Sequence, residues 1–281
     1  MFEKDHCSPS KQERIISCIP DNLLYKIYTI LYKDDPPSSK ERIYTLISDK
    51  LSGECKDELC WTKIVEIEKG LTPREYDILL DSFRPSMPKD WGIGKSSWLN
   101  NINIDDVMNQ YSKKFSRFKY CGANPIDYNV IAGEKCVNEY LCKLNVPTTM
   151  KDYDKLGIVF NTDPHDKSGQ HWFSVLVDFK GEYDKKTPCI FIYDSVGIQS
   201  KLPPTIVELV NDISVQFARL NNKPMDLIYN DIEHQRGNTE CGVFCLYFLT
   251  QMLENNSLQD YLLLKPSDED MKQYRNYFFI K

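Results

Sequence analysis

The chain has 281 residues, enough for one or two domains at roughly 150 residues each, and an ordinary globular make-up of 41% hydrophobic and 27% charged residues. Its 35 Lys and Arg against 41 Asp and Glu leave a net charge of −6, which argues against a broad nucleic-acid surface. The polar start lacks a signal peptide's apolar core, and the longest apolar run, Cys241 to Leu249, is far shorter than the ~20 residues of a membrane span, so secreted, membrane-spanning and disordered classes drop out.

The first part reads as helices joined by short loops. An apolar-periodic stretch runs from Arg14 to Tyr32, broken by Pro20. Ser38 and Ser39 are placed to cap a helix through Ile43, Leu46 and Ile47 that stops near Gly53. Thr72-Pro73-Arg74-Glu75 is a capping-box pattern opening a helix through Ile78, Leu79 and Leu80. Arg84-Pro85-Ser86-Met87-Pro88 interrupts the periodicity, which sets a boundary between a helical region, residues 1–88, and a second domain, residues 89–281.

The second part mixes strands and helices. Ile104 to Phe115 carries acids early and lysines late, matching a helix dipole. Residues 157–160, 171–179 and 189–194 are strand candidates, the last two forming a hairpin. A helix is expected from about Thr205 to Leu220, a strand over 225–229, and a helix from Cys241 to Leu253. Ser267 is placed to cap a final helix over Asp268 to Tyr277.

The chemistry-bearing residues gather in this part. With a turn near residues 182–183, the hairpin sets His171 opposite Asp194, close enough for a carboxylate to fix an imidazole tautomer. Cys241 opens an apolar helix, where the N-terminal dipole favours a thiolate, and Gly242 after it is read as room for a substrate backbone. Gln235, in the loop entering that helix, is placed to share an oxyanion with the Cys241 N–H. His6, His165 and His234 read as solvated or structural, and Cys245 as core. Ten cysteines fall well below the roughly 8–10% of disulfide scaffolds, so they are expected mostly as free thiols in a reducing compartment. Cys55 and Cys60 lack a second Cys/His pair at finger-like spacing, so no metal site is expected.

The chain resembles the adenovirus-protease and SUMO-deconjugating cysteine protease clan. Trp98-Leu99-Asn100-Asn101, His171-Trp172, Tyr193-Asp194-Ser195-Val196, and Gln235 through Glu240-Cys241-Gly242-Val243-Phe244-Cys245 carry the resemblance, in that order. Within the clan the chain is similar to the African swine fever virus type of polyprotein protease, through Asn161-Thr162-Asp163, His234-Gln235-Arg236 and Asp268-Glu269-Asp270-Met271. Asp194 stands where that type has Asn and the SUMO proteases have Asp, and Glu240 stands where many members have Asp.

The resemblance implies an α+β fold. Its papain-like core has a central mixed sheet with flanking helices and His before Cys in the chain, and the N-terminal α-helical region is added to it. It implies Cys241 as nucleophile, His171 as base and acid, Asp194 as its orienting carboxylate, Gln235 as oxyanion donor, and Trp98 and Trp172 as a clamp on a Gly-Gly segment, with no metal or organic cofactor. The expected activity is a viral endopeptidase cutting structural polyproteins at Gly-Gly-Xaa sites in the host cytoplasm and virion. An isopeptidase for a SUMO- or ubiquitin-like modifier shares the same motifs, and an inactive adaptor or capsid-associated module is the reading from another class.

Overall fold

The computed structural model describes residues 6–11, 16–88, 91, 97–183, 187–197, 202–254, 261 and 265–280. The chain divides into two units, Met1–Met87 with Tyr277–Lys281, and Pro88–Asn276.

In the first unit the helix starts follow local chemistry. Pro20 immediately precedes α1 (Asp21–Tyr32), because its fixed φ suits helix entry. Residues 14–15 of the expected apolar stretch lie outside the described residues. Ser39 accepts the Arg42 N–H at the start of α2 (Lys40–Leu51). Three elements escaped the sequence reading, 3-10 turns at Pro9–Lys11 and Cys60–Lys63 and α3 (Val65–Gly70), all too short to show a period. Thr72 and Glu75 form both bonds of the capping box that opens α4 (Pro73–Leu80). Ile27, Ile43, Ile47, Trp61, Ile67 and Leu79 close a core of their own.

The second unit is built on a five-stranded sheet ordered β1 (Phe118–Pro125), β4 (Lys155–Asn161), β5 (Trp172–Asp178), β6 (Cys189–Tyr193) and β7 (Asp226–Tyr229). β1 pairs parallel with β4, β5 runs antiparallel to β4 and β6, and β7 runs parallel to β6, so the sheet is mixed. The small ribbon of β2 (Ile131–Ala132) and β3 (Lys135–Cys136) stands apart. Gly122, with φ +92°, breaks the register of β1, and together with Asn124 and Pro125 it hid this strand from the sequence reading.

Helix α5 (Asn101–Lys114) begins three residues earlier than its charges suggest, because Asn100 and Asn103 cap each other. Short α6 (Glu139–Cys142) and α7 (Val146–Asp152) are likewise capped by asparagines, Asn138 and Asn145. Alternation along β6 sends Ile190 and Ile192 into a core shared with Ile206, Val210 and Ile213 of α8 (Pro204–Asn221). Phe191 and Tyr193 point the other way, onto Phe248 of α9 (Cys241–Leu253). α9 is apolar all round because it is buried all round. The last helix, α10 (Asp268–Phe278), is capped by Ser267, whose Oγ accepts the Asp270 N–H.

The cysteines correct the sequence expectation. Cys7–Cys18, Cys55–Cys60 and Cys136–Cys142 are disulfide-bonded, and Cys121, Cys189, Cys241 and Cys245 form no disulfide. Partners lie 11, 5 and 6 residues apart, so each bridge closes a short local loop, which a bulk cysteine count does not reveal.

Candidate active site

The β5–β6 hairpin carries two of the predicted residues at its open end. At the closed end, the Asp178 carboxylate accepts the N–H groups of Lys180, Gly181 and Glu182 at 2.9, 3.0 and 2.6 Å. This Asx turn sets a register with Ser174 opposite Tyr193. The pairing is therefore displaced by two residues from the expected one, and His171 is not directly opposite Asp194. A shift of two leaves the side-chain alternation unchanged. The residues meet on the diagonal instead, with His171 Nε2 2.7 Å from Asp194 Oδ1.

Cys241 is the first residue of α9, almost fully buried, with the backbone dipoles of the helix aimed toward it. Its thiol is one of the groups beside the His171 ring that act on the ring's proton. With Nε2 on Asp194, Nδ1 is the ring nitrogen left for other partners. Burial pulls the His171 pKa down, but the hydrogen bonds and negative charge of Asp194 and Cys241 outweigh it and push it up to about 10. The imidazole therefore holds its proton through neutral pH beside a sulfur that is most reactive as a thiolate. Burial raises the Cys121 thiol to about 12 and the Cys245 thiol well above its ordinary value, so both stay protonated and inert.

Sequence reasoning missed the residues that hold this pair. Asn230, fully buried, grips the backbone of Asp194 from both sides: its Oδ1 accepts the Asp194 N–H at 2.9 Å, and its Nδ2 donates to the Asp194 carbonyl at 2.7 Å. Glu240 precedes Cys241 as a buried carboxylate, accepting from Arg275 Nε at 2.6 Å, while Arg275 Nη2 donates to the Thr239 carbonyl. Asp268, at the start of α10, accepts the N–H groups of Arg236 and Gly237. Their partners are distant in sequence, and only the folded contacts mark these residues.

Gln235 is buried in the loop before α9. Its Oε1 accepts from Ser195 Oγ at 2.6 Å, its backbone N–H donates to the Ser195 carbonyl, and its Nε2 donates to the Gly237 carbonyl at 3.0 Å. Fixing the oxygen in this way fixes which end of the amide is the donor. The Gly237 bond uses one of two amide hydrogens.

Trp98 and Trp172 line one cleft of about 350 Å³, together with Asn161, Asp163, His165 and Gly169. Trp98 is 43% exposed, whereas Trp172 is buried and donates Nε1–H to the Leu99 carbonyl at 2.8 Å. Gly169, which also lines the cleft, has φ +87°, and a Cβ there would lie 2.8 Å from Asn161 Nδ2. Gly242 has a different purpose from the one read in the sequence. A Cβ there would come within 2.9 Å of Leu99 Cβ, so its lack of a side chain seats the Trp98-Leu99 segment against α9.

The remaining histidines find partners. His6 faces Glu58 at 3.5 Å and is not simply solvated. His165 Nδ1 is 2.6 Å from Asp127 Oδ2, and His234 bonds the Tyr193 hydroxyl. Burial lowers the His234 pKa, and the Lys265 charge adds to it.

A hydrogen-bonded Cys-His-Asp series at a helix N-terminus, beside an aromatic cleft, is equipped for acyl transfer through a thioester. Residues 104–281 match the family model described as the Ulp1 protease family, C-terminal catalytic domain. The chain belongs to the Ulp1 protease family. It is a cysteine-type peptidase.

Viral relatives are prominent among its matches. The SUMO-1 cysteine protease of African swine fever virus (isolate Warthog/Namibia/Wart80/1980) is 25% identical over 189 residues, covering 64% of this chain and 67% of that one. The thiol-protease-like protein R355 of Acanthamoeba polyphaga mimivirus is 26% identical over 253 residues, covering 86% of this chain and 75% of that one. The crystal structure of the African swine fever virus protease superposes with a TM-score of 0.71 at 19% identity, over 98% of this chain and 95% of that one, and so shares the fold. The mixed α+β architecture implied by the sequence resemblance is the one observed.

Proposed function

We propose that this chain is an endopeptidase of a large DNA virus that cleaves structural polyproteins after Gly-Gly in the host cytoplasm and the maturing virion. The observation that carries the proposal is the cleft of about 350 Å³ that Trp98, Trp172 and Gly169 line together. A narrow cleft lined by indoles and glycine backbone favours segments without side chains, which is the chemistry of two glycines before a cut.

In the reaction, the Cys241 thiolate attacks the carbonyl of the second glycine. The developing oxyanion is met by the Cys241 N–H and by Gln235 Nε2. Protonated His171 gives its Nδ1 proton to the leaving amine, and Asp194 holds the ring through Nε2. His171, now neutral, takes a proton from water as that water opens the thioester, and regains its starting charge.

The test is cleavage of a Gly-Gly-Xaa peptide panel beside a SUMO and a ubiquitin fusion, with Cys241→Ala as control. Cutting of short peptides after Gly-Gly, lost in the control, is the expected result. Cutting confined to the folded modifiers overturns the polyprotein reading in favour of an isopeptidase, and the absence of any Cys241-dependent cutting overturns both.

A further inference from the structure

A second cluster of reactive groups lies in the first unit, in residues the peptidase chemistry does not use. His6, Cys7, Cys18 and Glu58 bring an imidazole nitrogen, two sulfurs and a carboxylate oxygen within 4.8 Å of one another. Cys7, Cys18 and Glu58 are almost fully buried, and the His6 side chain is about one-third exposed. Two further groups hold the carboxylate: the Cys18 N–H donates to Oε1 at 2.9 Å, and Ser17 Oγ donates to Oε2. His6 is braced by a stacked contact with Phe83. A carboxylate and a histidine are costly to place beside two buried sulfurs unless they do something there.

We propose that, once Cys7 and Cys18 are reduced, these four residues bind one zinc-class divalent cation. The donor set of two thiolates, an imidazole and a carboxylate is of the mixed type that zinc accepts. Ligands about 2.0–2.3 Å from a tetrahedral zinc stand roughly 3.3–3.8 Å apart. His6 Nε2 and Glu58 Oε1, at 3.5 Å, already have that spacing. Ser17 and the Cys18 N–H then act as the outer hydrogen bonds that aim a ligating carboxylate.

In the structure the two sulfurs are joined as a disulfide, so the site is gated by redox state. Two molecules of a small thiol supply two electrons and two protons, become a disulfide themselves, and leave Cys7 and Cys18 as thiols. Cation binding then releases those two protons to solvent as the thiolates coordinate.

The sequence alone conceals the cluster. His6 and Cys7 are adjacent, Cys18 follows 11 residues later, and Glu58 comes 40 residues after that, which matches no finger spacing. Cys55 and Cys60, the pair weighed in the sequence for a metal site, are absent from it.

The test uses the full chain carrying Cys241→Ala, so that the catalytic sulfur does not compete. The protein is reduced with a small thiol, stripped of metal under chelation and exchanged into buffer. It is then titrated with cobalt(II) alone, followed by displacement with zinc(II). One equivalent with a tetrahedral thiolate–cobalt spectrum is expected. Cys7→Ser should abolish it, and both His6→Ala and Glu58→Gln should weaken affinity at least about tenfold, while the Cys55→Ser/Cys60→Ser pair retains it. Reoxidation to the Cys7–Cys18 disulfide should release the metal. Circular dichroism identifies the folded variants. No uptake by the reduced chain, or uptake that folded Glu58→Gln and His6→Ala leave unchanged, overturns the proposal.

Discussion

Replacing Asp194 tests the electrostatics of the site at the bond that holds His171. The 2.7 Å contact from His171 Nε2 to Asp194 Oδ1 is a hydrogen bond between charged groups, of a kind worth about 1.5–3 kcal/mol. Asp194→Ala removes all of it, and kcat/KM should fall about 10- to 150-fold. Asp194→Asn keeps a neutral acceptor, so the loss should be about 1–1.5 kcal/mol, or roughly 5- to 12-fold. The pH profile separates this from general damage.

In the native protein the His171 proton is kept up to about 10, because two negative partners override burial. The pair's contribution to stability is fully present below the ordinary value of 6.5 and is lost as pH rises through about 10. Without Asp194, burial faces only the Cys241 partner, so the histidine releases its proton earlier. The alkaline limb of kcat/KM, and of Cys241 alkylation by a small haloacetamide, should move to lower pH in both variants, further in Asp194→Ala. An unchanged alkaline limb in folded Asp194→Ala would refute the reasoning.

Gln235→Ala should lower kcat about 10²- to 10³-fold, the cost of one oxyanion donor, with a much smaller change in KM; a change in KM alone would show a binding role instead. Gly242→Ala puts a Cβ 2.9 Å from Leu99 Cβ, and overpacking of this kind costs about 1–3 kcal/mol, which urea melts would read as a lower midpoint. Glu240→Leu leaves Arg275 buried without its carboxylate, and such a break costs about 3–5 kcal/mol; the same melts should register it as one of the larger single losses in the domain.

The sequence was most informative where a local signal and its structural consequence coincide. Thr72 and Glu75 announce their capping box, and α9 is legible as an unbroken apolar run opened by Cys241. β1 was hidden because Gly122, Asn124 and Pro125 read as a turn, and parallel pairing with β4 supplies what local propensity does not. In the site, the order of His171, Asp194 and Cys241 was readable, but the hairpin register was not. Three backbone N–H groups gathered on Asp178 set the pairing two residues away from the symmetric register. The even shift preserved the side-chain faces, which is why an inexact register still led to the right neighbours.

Asn230, Arg275 and Asp268 were out of reach for a different reason. Each acts on a residue more than 25 positions away, through contacts that composition does not encode. Gly242 was visible as a glycine, but its reason lies in Leu99, which the fold brings from the far side of the chain.

The central claim is that Cys241, paired with His171, is the one nucleophilic sulfur of the chain. The most direct measurement is labelling of the reduced full chain with a peptide ending in Gly-Gly and a thiol-reactive vinyl sulfone, followed by mass mapping. One adduct per chain on Cys241 is expected, with its rate strongly reduced in His171→Ala. Labelling spread over the other cysteines, or peptide cleavage that survives in Cys241→Ala, would contradict the account.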